Sequence, residues 1–144
     1  MSPARDSLTD DMFCVPVPVV ETGALSIGHR IKALIARKIR ESGLSRTFIA
    51  ARMSELTGAE ITKHQLDSWT ADSREGWRFP LEYLPALEVA LDTHDITAMI
   101  ADLRGARLVV GRDALDAEIG RLERQRDEAT RRIKALKGAV GVPE

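Results

Sequence analysis

The sequence predicts an all-α protein: a five-helix bundle containing a helix-turn-helix unit, followed by a C-terminal coiled-coil helix. Three observations lead there. Apolar residues make up 44% of the 144 positions but aromatic residues only 4%. A core of Leu, Ile, Ala and Val suits packed helices better than a β-sandwich, whose strands favour β-branched and aromatic residues. Two short segments between Ser45 and Thr70 repeat one pattern of helix start, apolar stripe and stop. From Leu115 to Leu136, apolar positions step by four and three, the rhythm of a coiled-coil seam. The length fits one compact domain with appendages, since domains cluster at about 100–150 residues.

Residues 1–25 read as an irregular, acidic, Pro-containing tail. Pro3, Pro16 and Pro18 break any long helix. Leu8, Met12 and Phe13 sit among Asp6, Asp10 and Asp11, so the stretch is either a frayed terminus or a short motif that orders on a protein partner. The bundle is expected over 26–105. Its first helix spans 27–42, with Ile31, Leu34, Ile35 and Ile39 at helical spacing and Gly43 as the stop. The second starts at Ser45 as N-cap, with Leu44 and Ile49 as a hydrophobic staple. Its apolar stripe is Phe48, Ile49, Ala50, Met53 and Leu56, and Gly58 ends it. The third starts at Thr62, with Gln65 completing a capping box and Ile61 and Leu66 a second staple. It runs to about Thr70 with Leu66 and Trp69 facing inward. Such a pair of short capped helices is the helix-turn-helix pattern.

A polar loop from Asp72 to Phe79 follows, with Trp77 and Phe79 expected to close the core. Pro80 and Pro85 open a fourth helix whose Leu84, Leu87, Val89 and Leu91 read as largely buried. Asp95 is expected to cap a fifth, bearing Ile96, Met99, Ile100 and Leu103 and closed by Gly105. A connector over 106–112 leads to the coiled-coil helix at 113–138, and 139–144 form a tail. The seam comprises Leu115, Ile119, Leu122, Arg126, Ala129, Ile133 and Leu136, a rod of roughly 30 Å at ~1.5 Å per residue. Arg126 and Ala129 weaken its middle. A lone helix of this kind is marginal in water, so the stripe is expected to pair with a second copy or to fold back on its own domain.

The formal net charge of −1 hides a segregated distribution: Arg30, Lys32, Arg37, Lys38, Arg40, Arg46 and Arg52 face only Glu41 between His29 and Arg52. Local fields of this kind steer charged partners. No apolar run approaches the ~20 residues of a membrane span, and no secretory signal pattern opens the chain. The single Cys14 can form no internal disulfide. A cytoplasmic location is expected. Phosphate-binding, metalloprotease, paired-cysteine and hydrolase motifs are all missing from the sequence. His29, His64 and His94 fall in three separate predicted elements with no metal-ligand spacing. Neither catalysis nor a metal or other cofactor is expected, although an enzyme of unrecognised type would be revived by acids converging on His64 or His94.

In a helix-turn-helix the second helix presents its N-terminal side chains to the major groove. Here those are Thr62, Lys63, His64, Gln65 and Ser68. Gln suits adenine and Lys suits guanine, each pairing discriminating by about 1–3 kcal/mol. Ser45 and Arg46, at the start of the preceding helix, are placed to grip a phosphate, and Arg30, Lys38, Arg74 and Arg78 are further phosphate candidates. The bland alternative is a solvated polar face. Asp67, Asp72 and Glu75 oppose phosphate binding if they share that face.

Ile31-Lys32-Ala33-Leu34, Gly43 through Ala50, Thr62 through Trp69 and the Leu-rich helix after Pro80 resemble the Cro/C1-type helix-turn-helix family over about residues 26 to 104. That resemblance implies a five-helix bundle in which Ser45, Ala50, Ile61, Leu66 and Trp69 fall at capping and packing positions. The chain departs from the family by a longer turn, Ser54 through Glu60. The whole chain, from Asp6 through Phe13 to Arg107 through Leu115 and the terminal heptads, is also similar to small early-region proteins of Mu-like transposable phages and prophages. That likeness implies a phage or prophage origin and a part in regulating or assisting an early, transposition-related programme. With the helix-turn-helix reading, the expected partner is double-stranded DNA and the expected role that of a transcriptional regulator or transposition accessory. A protein–protein adaptor on the same scaffold is the rival expectation, since fold alone does not establish function.

Overall fold

The structure, a computed structural model, describes residues 16–141. Among these residues it is all-helical, with six α-helices, one short 3-10 turn and no named strand. The helices are α1 (Gly28–Ser42), α2 (Arg46–Thr57), α3 (Lys63–Thr70), α4 (Leu84–Leu91), α5 (Asp95–Leu103) and α6 (Arg112–Val140). The chain divides into two units, residues 1–107 and 108–144. No helix among the described residues is long and apolar enough to cross a membrane.

The first unit holds α1 to α5 around one core. Ile35 and Ile39 come from α1, Ile49, Ala50 and Met53 from α2, and Leu66 and Trp69 from α3. Leu84, Ala86, Leu87 and Leu91 of α4 and Ile96 of α5 complete it with Ile61. α2 packs chiefly on α4 and α3, while α1 meets α3, α4 and α5. Trp69 is the aromatic centre: Phe79 meets it edge-on at 5.5 Å and Tyr83 lies tilted at 5.7 Å, arrangements that ring quadrupoles favour.

Several expectations need correction. Trp77 does not close the core; it is half exposed, with the Arg74 guanidinium over its ring at 5.8 Å. Phe48, Leu56 and Val89 lie on solvent-facing sides of their helices. Pro80 opens the 3-10 turn Leu81–Tyr83, and α4 starts only at Leu84 with Pro85 in its first turn. Asp95 does not cap α5. Its N-cap is His94, which makes no side-chain cap; the buried Glu88 of α4 does that work by accepting from Ile96 N (3.0 Å), Thr97 N (2.9 Å) and Thr97 Oγ1 (2.6 Å). A buried carboxylate at a helix N-terminus meets both the unpaired amides and the positive end of the dipole.

The tail is docked where it is described. Val19 N–H donates to Leu103 O at 2.9 Å and Pro18 bridges to Arg104. Gly105, at φ 69°, lies under this strand-like contact, and a Cβ there would stand 2.6 Å from Pro18. Leu8, Met12, Phe13 and Cys14 lie outside the described residues.

The second unit is dominated by α6. It runs from Arg112 to Val140, beginning and ending slightly beyond the expected 113–138. Gly141 takes the left-handed conformation that closes it.

Candidate nucleic-acid interface

Two capped helix starts organise the surface that the sequence singles out. Ser45 is extended and its hydroxyl accepts from Phe48 N at 3.1 Å, starting α2. Thr62 starts α3 in a full capping box: Gln65 N–H donates to Thr62 Oγ1 at 3.2 Å and Thr62 N–H donates to Gln65 Oε1 at 2.9 Å. Both caps stand where the spacing predicts them.

The longer turn between them is stitched internally. Ser54 Oγ accepts from Ile61 N at 2.8 Å and lies 2.9 Å from Ala50 O. Thr57 Oγ1 accepts from Ala59 N and donates to Met53 O, and Gly58 takes φ 69° at the stop of α2. These bonds tie the turn back onto the last turns of α2 and hold Ile61, buried in the core, one residue before the Thr62 cap.

The far end of α3 is clamped. Lys32, buried on α1, donates from Nζ to Ala71 O (3.3 Å) and Arg74 O (2.7 Å), a cation at the negative end of a helix dipole. Arg46 Nη1 donates to Thr70 Oγ1 at 2.8 Å and pairs with Asp67 Oδ1 at 3.2 Å. α3 is therefore fixed at both ends while one side stays open.

On that open side Thr62, Lys63 and His64 are exposed, and Gln65 and Asp67 are half-buried. Lys63 Nζ pairs with Asp67 Oδ2 at 2.6 Å; this hydrogen bond, with help from Arg46, holds the Asp67 carboxyl below its usual range. The capping role of Gln65 Oε1 leaves the carboxamide N–H groups to meet an acceptor. Ser68 needs correction. It is 2% exposed and its hydroxyl accepts from Arg74 at 3.1 Å, so it faces inward and supports the following loop.

No family model, curated protein or solved structure matches this chain. The phosphate candidates divide into two groups. Ser45 and Arg46 stand beside α3, and Arg74 and Arg78 lie in the loop that follows it, Arg78 donating to Glu75 O at 2.6 Å. Arg30 and Lys38 belong elsewhere. Arg30 lines an open groove between α1 and α5 with Val19, Leu34, Arg37, Met99 and Leu103. Lys38 pairs with Asp95 at 2.7 Å and Glu41 at 3.0 Å, and both hydrogen bonds raise its pKa. Two residues along a helix turn the side chain by about 200°, so Arg30 points away from the side where Lys32 meets the end of α3.

Asp72 and Glu75 line a groove with Ser26, His29, Lys32 and Arg78 at the start of α1. Among the described residues no group of three His, Cys, Asp or Glu side chains could hold a metal ion.

The residues that sequence reasoning missed carried a faint signal. Lys32 lies three and seven positions before Ile35 and Ile39, on the buried stripe of α1, and Glu88 lies four after Leu84 and three before Leu91. A charged residue in register with a core stripe announces a specific buried partner.

Proposed function

We propose that this chain is a sequence-preferring double-stranded DNA-binding protein in which α2 and α3 act as a Cro/C1-like helix-turn-helix. One observation carries the reading. α3 is a short helix whose Leu66, Ser68, Trp69 and Thr70 are buried, whose C-terminal end is clamped by Lys32 and Arg46, and whose doubly capped N-terminus leaves Thr62, Lys63 and His64 exposed. A recognition helix needs such an end: rigid enough to hold register on the duplex and polar where it meets base edges. Lys63, His64 and the Gln65 amide would meet bases. Ser45, Arg46, Arg74 and Arg78 would meet phosphates. Pairing through α6 would bring two such units to one DNA and compensate for the modest charge of each. The resemblance to Mu-like early-region proteins frames the role as phage or prophage transcriptional regulator or transposition accessory.

The rival reading is a protein-binding scaffold without DNA affinity. It is favoured by the Asp67 pairing, because Lys63 and Arg46 share one carboxylate, which occupies both cations and cuts their joint charge from two to one.

Fluorescence anisotropy decides between them, using a labelled duplex that covers the DNA upstream of the coding sequence, with an unrelated duplex as competitor and salt varied. Expected is saturable binding that weakens with salt, survives the competitor and falls about tenfold or more in Lys63→Ala/His64→Ala, in line with ~1–3 kcal/mol per base contact. Binding at no salt concentration, or an unaffected double variant, would overturn the proposal.

A further inference from the structure

The seam of α6 is exposed along its length: Leu115 is 65% exposed, Ile119 52%, Leu122 50%, Ile133 54% and Leu136 66%. Its residues fall into the two alternating core positions of a heptad. Ile119, Arg126, Ile133 and Val140 occupy one, and Leu115, Leu122, Ala129 and Leu136 the other. The residues flanking the seam are sorted by sign. Asp116, Glu118 and Glu123 flank its first half, Gln125 and Thr130 its middle, and Arg132 and Lys137 its second half.

We infer that α6 pairs with a second copy of this chain, and that the two helices run antiparallel about a midpoint between Asp127 and Glu128. The dimeric part of the proposed function is presupposed; DNA binding is not.

An antiparallel pair sets one core position against the other. Reflection about that midpoint brings Leu115 to Val140, Ile119 to Leu136 and Leu122 to Ile133 of the second copy. It also brings Arg126, the one charged residue of the seam, to Ala129, the smallest. The long Arg stem gains the space that Ala leaves, and its guanidinium can extend to the edge of the seam. A parallel pair in register does the reverse. It sets Arg126 against Arg126 in the core and Ala129 against Ala129, so that charge repulsion and a void adjoin.

The flanks decide in the same direction. Flanking charges set coiled-coil orientation because opposite signs attract across the seam and like signs repel. In a parallel pair Glu118 would meet Glu123 of the second copy, and Arg132 would meet Lys137. In the antiparallel pair Asp116 and Glu123 approach Lys137, and Glu118 approaches Arg132. The intrahelical pairs of Glu118 with Arg121 and of Arg132 with Glu128 need not break, since each carboxylate accepts several hydrogen bonds. The helix dipoles also oppose one another, with acids near each N-terminal half and bases near each C-terminal half. Apolar and charged residues both match under one two-fold operation, which is what an isologous contact requires of a single surface. An unrelated partner would impose no such symmetry.

Orientation sets where α6 begins in each copy. Antiparallel pairing holds the two Arg112 residues roughly 45 Å apart at ~1.5 Å per residue; parallel pairing holds them about one interhelical distance apart, ~10 Å.

The test uses the full chain with Cys14→Ser and no DNA. Ile119→Cys and Leu136→Cys proteins are oxidised mildly, each alone and as an equimolar mixture, and read on non-reducing gels. Expected is a covalent dimer in the mixture and little in either protein alone. Beside this, Glu123→Lys is compared with wild type by sedimentation. It should weaken association roughly fivefold, because the new ammonium group faces Lys137 of the second copy in two symmetric places worth ~0.2–1 kcal/mol each. In a parallel pair the same substitution faces Glu118 and tightens association. A covalent dimer from either single-cysteine protein alone, or tighter association of Glu123→Lys, overturns the antiparallel arrangement but leaves a dimer. A wild-type chain that sediments as a monomer at tens of micromolar overturns the pairing itself.

Discussion

Asp67→Asn should move stability and DNA affinity in opposite directions. In the folded chain the Asp67 carboxylate accepts from Lys63 at 2.6 Å and pairs with Arg46 at 3.2 Å, with its own side chain 37% exposed. Exposed pairs of this kind contribute about 0–1 kcal/mol. Arg46 also keeps its bond to Thr70, so the loss of stability should stay below about 1 kcal/mol, a fall in Tm of roughly 4–8 °C at most for a domain this size. On the DNA side the substitution removes a negative charge from the open side of α3. It also releases two cations. A charge ~8 Å from a phosphate in water interacts by about 0.5 kcal/mol. Two neighbouring phosphates make that about 1 kcal/mol, or fivefold in affinity. A released Lys63 or Arg46 that reaches a phosphate should also steepen the salt dependence by about one unit of log K against log salt. The assay is anisotropy on a generic duplex between ~50 and ~200 mM salt, with circular dichroism melting of the same samples. Unchanged or weaker binding at every salt concentration, with α3 still folded, would show that Asp67 does not face the duplex. The proposed reading face would fall with it.

Three further outcomes test the fold that positions this site. Glu88→Ala removes the acceptor of three hydrogen bonds at the start of α5 and should lower unfolding stability by about 3 kcal/mol, with Glu88→Gln losing about a third as much; urea midpoints measure both, and a loss below about 1 kcal/mol in the Ala variant would contradict the capping role. Gly105→Ala places a Cβ 2.6 Å from Pro18 at φ 69°, so the segment around Val19 should lift away at a cost of about 1–2 kcal/mol. Val19 amide exchange should then lose its protection, and retained protection would refute the docking. For pH dependence, the hydrogen bond from Lys38 holds the Asp95 carboxyl below its usual value. A depressed carboxylate pKa contributes stability that is complete above ~4 and is lost as pH falls through the lower folded-state value. Asp95→Asn should therefore lose less stability than wild type between pH ~6 and ~3, and equal losses would remove Asp95 from the account.

Much of the fold was legible because its signals are local. Ser45 and Thr62 announce helix starts through bonds to amides three residues on, and the stripe of α1 announces its buried side by period alone. The candidate site was only partly legible. Ser68 sits one turn after His64 on a helical wheel, which places it near the exposed face, yet it is buried because the returning loop brings Arg74 onto it. Arg30 and Lys38 share a basic segment with Lys32 but diverge around α1, one to a groove, one to Asp95 and one to the end of α3.

The sequence by itself determined the starts of α2 and α3, the glycine stops of α1 and α2, the buried stripe of α1 and the heptad spacing of α6. Each depends on backbone groups or side chains within about one or two turns, where spacing is set by covalent geometry. The tertiary structure alone decided which charges remain available. Lys32, Arg46, Lys38 and Glu88 find partners tens of residues away or on another helix. Such pairings follow from how the helices cross, which no local period encodes, and for Lys32 and Glu88 burial then makes the partner obligatory because an unpaired charge in the interior is too costly to keep.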